Sequence, residues 1–307
     1  MTELRILPLI SSATEIVHAL GLGAFQVGRS HECDYPAEVL NLPVCTRPAI
    51  AVSGSSAEID ALVKERLRAA LSVYEVDAAL IRSLRPTHII TQTQCKVCAV
   101  SLDDVQNALR DECAVDAQIV SCEPYSLADV WKDIERIASA CGEAERGDRL
   151  VADLKMRMAA LKPPTDQRPT VAALEWLEPL MAAAYWIPEL IEIAGGRAVT
   201  LADEPDVIVA HPCGFDLERT RAEMKGKGLT GRVYICDGNQ FMNRPGPRLV
   251  ESAEIFAQIL HPEHFAATLR GVGWEEFPNG IGNLAAVEAA VLDKNFVGVR
   301  TGNDDAG

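Results

Sequence analysis

Ser126-Leu127-Ala128-Asp129-Val130 opens a stretch that runs to Leu161 without a proline. Its apolar positions, Val130, Ile134, Ile137 and Ala138, then Leu150, Leu154 and Met158, recur at the three- and four-residue spacing of an amphipathic helix. Ser126 followed by Asp129 has the capping-box pattern that satisfies the first free N–H groups of such a helix. Gly142 and Gly147 interrupt the pattern, and Lys162-Pro163-Pro164 ends it. This reads as one long helix, with a break near Gly142 as the alternative, and at 1.5 Å per residue it would reach on the order of 50 Å, the span of two lobes set side by side.

On both sides of this segment strands and helices alternate. Before it, strands are predicted at Arg5–Leu9, Phe25–Gly28, Thr87–Thr91 and Gln118–Ser121. Helices are predicted around Ile16–Leu20, over 57–85, and after the Ser101–Asp104 capping pattern. After it come strands at Thr170–Leu174, Val207–Ala210 and Val233–Cys236, with helices through Leu190–Ala194, from Asp216, and over Pro247–Leu260. The expectation is an α/β protein: two Rossmann-like βα lobes joined by one long backbone helix, with a cleft between the lobes. The boundaries are residues 1–125, 126–162 and 163–307, with a frayed tail from about residue 301.

The chain has 307 residues, and its 29 Lys+Arg against 44 Asp+Glu give a net charge of −15. With 48% hydrophobic and 24% charged residues it has the composition of a globular protein. The negative charge, with no local basic cluster, argues against nucleic acid as a partner. No run approaches the ~20 apolar residues of a membrane span, so no membrane insertion is expected. The apolar run Ile6–Ile10 is too short for a secretory signal. Together with nine cysteines, an odd number, this places the chain in the cytoplasm with reduced thiols. The alternative is a periplasmic protein whose leader precedes Met1.

Several segments resemble one family. Arg5-Ile6-Leu7-Pro8-Leu9 with Ser11-Ser12-Ala13-Thr14-Glu15-Ile16 looks like the opening of the substrate-binding proteins that serve ABC importers for cobalamin and ferric siderophores. So do Val27-Gly28-Arg29-Ser30 and Asp34-Tyr35-Pro36, then Leu84-Arg85-Pro86-Thr87-His88-Ile89-Ile90, Ile193-Ala194-Gly195-Gly196, and Arg244-Pro245-Gly246-Pro247-Arg248. The likeness covers most of the chain, in order, and is nearer the cobalamin branch. It implies ligand held between two lobes bridged by a rigid helix, and an ABC importer permease as partner if the protein is exported. Cysteines in the cleft are not ordinary for that family.

Ligands of open parallel sheets bind beyond the carboxyl ends of the strands, where loops and helix N-termini converge. By that rule Cys33, Cys95, Cys98 and Cys213 all fall on strand-end loops of the two lobes. Four thiolates facing one cleft would suit Zn²⁺ or an iron–sulfur cluster. The competing readings are thiols lining a cofactor pocket, a redox dithiol at Cys95/Cys98, or packing, since cysteine is often buried. His31, Glu32 and His211 flank these cysteines as second-layer groups or as ordinary loop side chains.

The same rule puts Glu175, Trp176, Tyr185 and Trp186 at the cleft, where aromatics could stack on a flat macrocycle such as a corrin; core packing is the bland alternative. Asn239 and Phe241 end another strand, and Arg47 and Arg244 are candidates for a carboxylate or phosphate group of the ligand. No nucleotide-binding, nucleophile-elbow or zinc-protease motif is present, so no catalytic residue is assigned. Two functions follow: a non-catalytic protein binding cobalamin or another corrinoid as a small-molecule or metal-complex ligand, or a cytosolic Cys-ligated metalloprotein acting as sensor or enzyme on the same scaffold.

Overall fold

The computed structural model describes residues 3–69, 72–93, 117–229 and 231–278. In chain order the first lobe holds β1 (Ile6–Pro8), α1 (Ser11–Ala19), β2 (Thr46–Pro48), α2 (Ser56–Arg68), β3 (Tyr74–Val76), α3 (Ala78–Leu84), β4 (His88–Gln92) and β5 (Gln118–Cys122). β1, β4 and β5 form a parallel sheet in that order, registered Ile6 to His88 and Ile90 to Val120. Ile6, Leu7, Ile89 and Ile90 are buried, as strands covered on both faces require.

Two local expectations change. The strand at Phe25–Gly28 shrinks to one bridge, Ile6 to Gln26, behind a short turn at Gly23–Phe25. The helix over 57–85 is cut by β3, which pairs antiparallel with β2. The Arg66 guanidinium donates to the Ser72 carbonyl and closes the chain end of α2, and Tyr74-Glu75-Val76 then has strand chemistry.

The bridge is helical but not a single rod. α4 (Leu127–Ala140) starts at Ser126, whose side chain accepts from the Asp129 N–H as predicted. Gly142, at φ +77°, turns the chain, and α5 (Ala144–Ala159) runs back beside α4. Gly147 permits this: a Cβ there would stand 2.6 Å from the Ala138 Cβ. At the Gly142 end the pair meets the first lobe, through His88 Nε2 to the Ala140 carbonyl (2.9 Å) and Arg146 to the Leu20 carbonyl (3.2 Å). At the other end it meets the second lobe. There the Leu127 N–H donates to Glu189 (2.8 Å), and Arg157 donates to Glu254 (2.8 Å). Two helices of 14 and 16 residues, about 21 and 24 Å long, thus do the work expected of one 50 Å helix.

The second lobe adds β6 (Thr170–Leu177), β7 (Leu180–Ala182), α6 (Ile187–Ile193), β8 (Arg197–Ala198), β9 (Val207–Ala210), α7 (Leu217–Glu223), β10 (Arg232–Cys236), α8 (Leu249–Leu260) and β11 (Trp274–Glu276). Its sheet runs β11-β10-β9-β6-β7, with β8 also on β6; β6, β9 and β10 are parallel, and the edges β7 and β11 antiparallel. One apolar core runs through both lobes, joining Ile6, Ile16 and Ile90 through Val130, Ile134, Val151 and Leu154 to Leu190 and Phe256. The two-lobed α/β reading therefore holds, with a packed helix pair as its bridge.

Candidate functional site

The strand ends of the second lobe build a rigid turn. Asp237 follows β10, and its carboxylate accepts from the N–H groups of Asn239 (2.9 Å) and Gln240 (2.6 Å), starting a single wide turn at Gly238–Met242. Only glycine fits at 238, because a Cβ would lie 2.1 Å from the Pro212 carbonyl oxygen. The Gly238 and Asn239 N–H groups donate to the Phe215 carbonyl, and the Asn243 side chain donates to that of His211 (2.9 Å). The loops after β9 and β10 are thereby stitched together.

From this turn Arg244 crosses to the first lobe. Its Nη1 donates to Glu15 (3.0 Å) on α1 and to Asp34 (2.6 Å), and Asn239 also donates to Asp34 (3.1 Å). Arg248 lies flat between Tyr35 and Phe241, 4.1 and 4.2 Å from their ring centres. Burial pushes the Glu15 carboxyl up to about 7 despite Arg244 and Arg248 beside it. Burial likewise carries Glu32 to about 7. At Asp34 burial acts the same way but is outweighed by Arg244 and Asn239, which hold it below its ordinary value. Glu15 and Asp34 thus share Arg244 across the interlobe boundary, and the Glu32 backbone carbonyl accepts from its Nη2 (3.4 Å).

A second constellation is aromatic. Tyr125 follows β5 of the first lobe, and its ring lies 5.8 Å from that of Tyr185 in the second. Tyr185 stacks in turn on Trp186 at 5.9 Å. Both tyrosines are about half exposed, whereas Trp186 is buried and donates its indole N–H to the Met242 carbonyl (2.9 Å). Tyr185 sits at φ +57°, a conformation unfavourable for a bulky side chain and found where surroundings impose it.

The remaining candidates are dispersed or absorbed. Trp176 donates to the Glu178 carbonyl and packs edge-on against Phe215. Glu175 accepts weakly from the Ala184 N–H (3.4 Å), and its carbonyl takes the Cys213 N–H; burial raises its carboxyl. Arg47 is exposed and paired with Glu75 in the β2–β3 ribbon. His31 meets Thr46 (2.7 Å) and the Tyr74 ring in the same ribbon, and Glu32 lies 3.5 Å from the Tyr74 hydroxyl. His211 is wholly buried and burial lowers it to about 4. A cavity of about 640 Å³ behind the bridge, between Leu127, Met158, Lys162 and Glu192, is lined by none of the candidates.

The loops carrying Cys33 and Cys213 are linked through Asn239, which donates to Asp34 on one side and to the Phe215 carbonyl on the other. The Cys33 thiol itself is fully buried, accepts from the Thr14 hydroxyl (3.0 Å), and is pushed up to about 11 by burial. Cys95, Cys98 and the Ser101–Asp104 pattern lie outside the described residues. Among the described residues no group of three or more His, Cys, Asp or Glu could hold a metal ion. Sequence reasoning passed over Glu15, Asp34, Tyr35, Tyr125 and Arg248 as site residues. All but Tyr125 stand in the segments quoted for the family likeness, which was the available signal.

Two α/β lobes facing each other across their strand ends, over a helical bridge, define a bilobal binding-protein fold. The chain is similar to ABC-importer substrate-binding proteins. It is 24% identical over 293 residues to the uncharacterized ABC transporter substrate-binding lipoprotein YvrC of Bacillus subtilis strain 168, covering 85% of this chain and 81% of that one. Among solved structures it matches the periplasmic vitamin B12 binding protein BtuF of Vibrio cholerae, with TM-score 0.56 and 20% identity over 83% of this chain and 96% of that one. It also matches a periplasmic heme binding protein from Pseudomonas aeruginosa, with TM-score 0.65 and 15% identity over 91% and 99%. The periplasmic heme-binding protein RhuT of Roseiflexus sp. RS-1 gives 0.58 and 21% over 84% and 99%. No family model matches the chain. These relatives overturn the cytoplasmic assignment, since they are a lipoprotein and periplasmic proteins. The iron–sulfur reading receives no support from them either. No described helix is long and apolar enough to cross a membrane.

Proposed function

We propose that the chain binds a planar metallo-macrocycle, a corrinoid such as cobalamin, between its lobes and presents it to an ABC importer permease without transforming it. The observation that carries this reading is the Tyr125–Tyr185–Trp186 row, an aromatic surface contributed by both lobes whose two tyrosine rings are exposed. A flat, largely apolar ring system gains both burial and stacking on such a surface. In this reading Tyr185, Trp176 and Glu175 face the ligand, Trp186 and Phe241 back them, and Arg244 with Asn239 form the ion-paired floor. The relatives that bind vitamin B12 and heme point to the same class of ligand.

The test is a titration of the purified protein with cyanocobalamin, hemin and ferrichrome, followed by tryptophan fluorescence and the visible spectrum. Cyanocobalamin is expected to bind at micromolar concentration or tighter, and Tyr185→Ala to weaken it roughly 10-fold, the loss of one stacked ring at about 1.4 kcal/mol. Tighter binding of hemin would overturn the corrinoid assignment, and binding of none of the three would overturn the whole reading.

A further inference from the structure

Apart from the Arg244 floor, the lobes touch at a second polar contact, on the rim. Arg219, on α7 of the second lobe, donates from Nη2 to the carbonyls of Val52 (2.7 Å) and Gly54 (2.8 Å) in the first. One helical turn on, Glu223 accepts from the backbone N–H (3.1 Å) and the hydroxyl of Ser56. Ser56 is the first residue of α2, whose own cap is Ser55 in a capping box with Glu58. Glu223 therefore supplies, from the opposite lobe, an anion to the positive end of that helix. Burial acts to raise Glu223, but the Ser56 hydrogen bonds and Lys227, 3.6 Å away, outweigh it and hold the carboxylate charged. Behind the strap, the Arg219 guanidinium lies 3.7 Å over the Phe215 ring, and Phe215 rests edge-on against Trp176.

The strap contrasts with the rest of the interface. The helix pair joins the lobes through a continuous apolar core, and the Arg244–Glu15 pair of the floor is deeply buried. Arg219, half-buried, instead holds a loop whose Val52 is exposed, while Glu223 grips Ser56 at its buried inner end. Contacts that are polar, few and near solvent open at lower free energy than a packed core. Val52 and Gly54 also belong to a segment without regular structure that leads into the α2 capping box.

We infer that the Arg219/Glu223–Ser56 strap is a gate: it closes the cleft rim, and ligand enters and leaves when it parts while the helix pair and the Arg244 floor stay in place. This rests on the cleft-binding reading above. A gate raises the barrier in both directions, so removing it speeds association and dissociation together and leaves affinity nearly unchanged. A residue that only contacts ligand would instead change dissociation and affinity in step.

The experiment compares the full chain with Arg219→Met, Glu223→Gln and the double variant. Hydrogen–deuterium exchange without ligand is expected to rise at least 10-fold in peptides covering residues 52–58, with β9, β10 and α8 protected as before. Unchanged exchange at 52–58 in the double variant, or a general rise that includes β9 and α8, would overturn the strap as a separately opening unit. Stopped-flow binding of cyanocobalamin, or of hemin if only that binds, is expected to give on- and off-rates both raised at least threefold, with Kd within threefold. A change in off-rate and Kd alone would overturn the gate. Should neither probe bind, the cleft reading fails, and the exchange result alone decides whether the rim opens as a unit.

Discussion

Replacing Arg244 by methionine removes the charge that makes the closest pairs across the floor of the cleft, leaving Arg248 3.8 Å from Glu15. The structure gives Arg244 hydrogen bonds to Glu15 and Asp34, with Glu15 almost wholly buried. Removing one partner of a buried ion pair costs about 3–5 kcal/mol, because the other charge is left without compensation. At roughly 2–4 °C per kcal/mol for a domain of this size, Tm should fall by roughly 6–20 °C at pH 8. The loss must depend on pH. Glu15 and Glu32 are raised to about 7 in the fold from 4.5, so the folded state binds the extra protons. Their contribution to stability is fully present below about pH 4.5 and is lost as pH rises through about 7. At pH 5 both are therefore neutral, and Arg244→Met forfeits mainly its bond to Asp34, about 1.5–3 kcal/mol. Urea and thermal unfolding at pH 5 and pH 8 measure the difference. A drop of less than 2 °C at pH 8, or an equal drop at both, would refute the shared-arginine account of the floor.

Three further outcomes follow from single positions. His211, lowered to about 4 from 6.5 and buried, contributes stability that is lost as pH falls from about 6.5 through about 4; His211→Phe should flatten that acid limb by about 3 kcal/mol in pH-dependent unfolding. Gly238→Ala drives a methyl into the Pro212 carbonyl, so it should cost more than 2 kcal/mol and release Asn239 from Asp34, read by Tm and by exchange of the 237–243 turn. At position 185 the backbone lies in the left-handed region, and Tyr185→Gly should be about 1 kcal/mol more stable than Tyr185→Ala in chemical unfolding; the reverse order would show that no strain is held there.

What the sequence determined by itself is the local grammar. Val207–Ala210 is a four-residue run of apolar and β-branched character and is a strand with those bounds. Ser126 and Asp216 cap helices because each side chain accepts from the N–H three residues on, a contact complete within a few residues. The order of such elements sufficed for a two-lobed α/β fold. Partnership between distant segments was decided only in three dimensions. The spacing from Val130 to Met158 is the same for one straight helix and for two helices packed side by side. Contact between Gly147 and Ala138 chose the second. Glu15, Asp34 and Arg244 are 229 and 210 residues apart in the bonds they make, and no local pattern distinguishes such a cluster from three surface charges. Cys33 had the right place on a strand-end loop, yet the direction of its thiol, toward Thr14, depends on how α1 packs behind that loop. Short-range hydrogen bonding is written in neighbouring residues; the chemistry of the cleft arises from burial and charge sharing between chain segments that meet only after both lobes have closed on their common core.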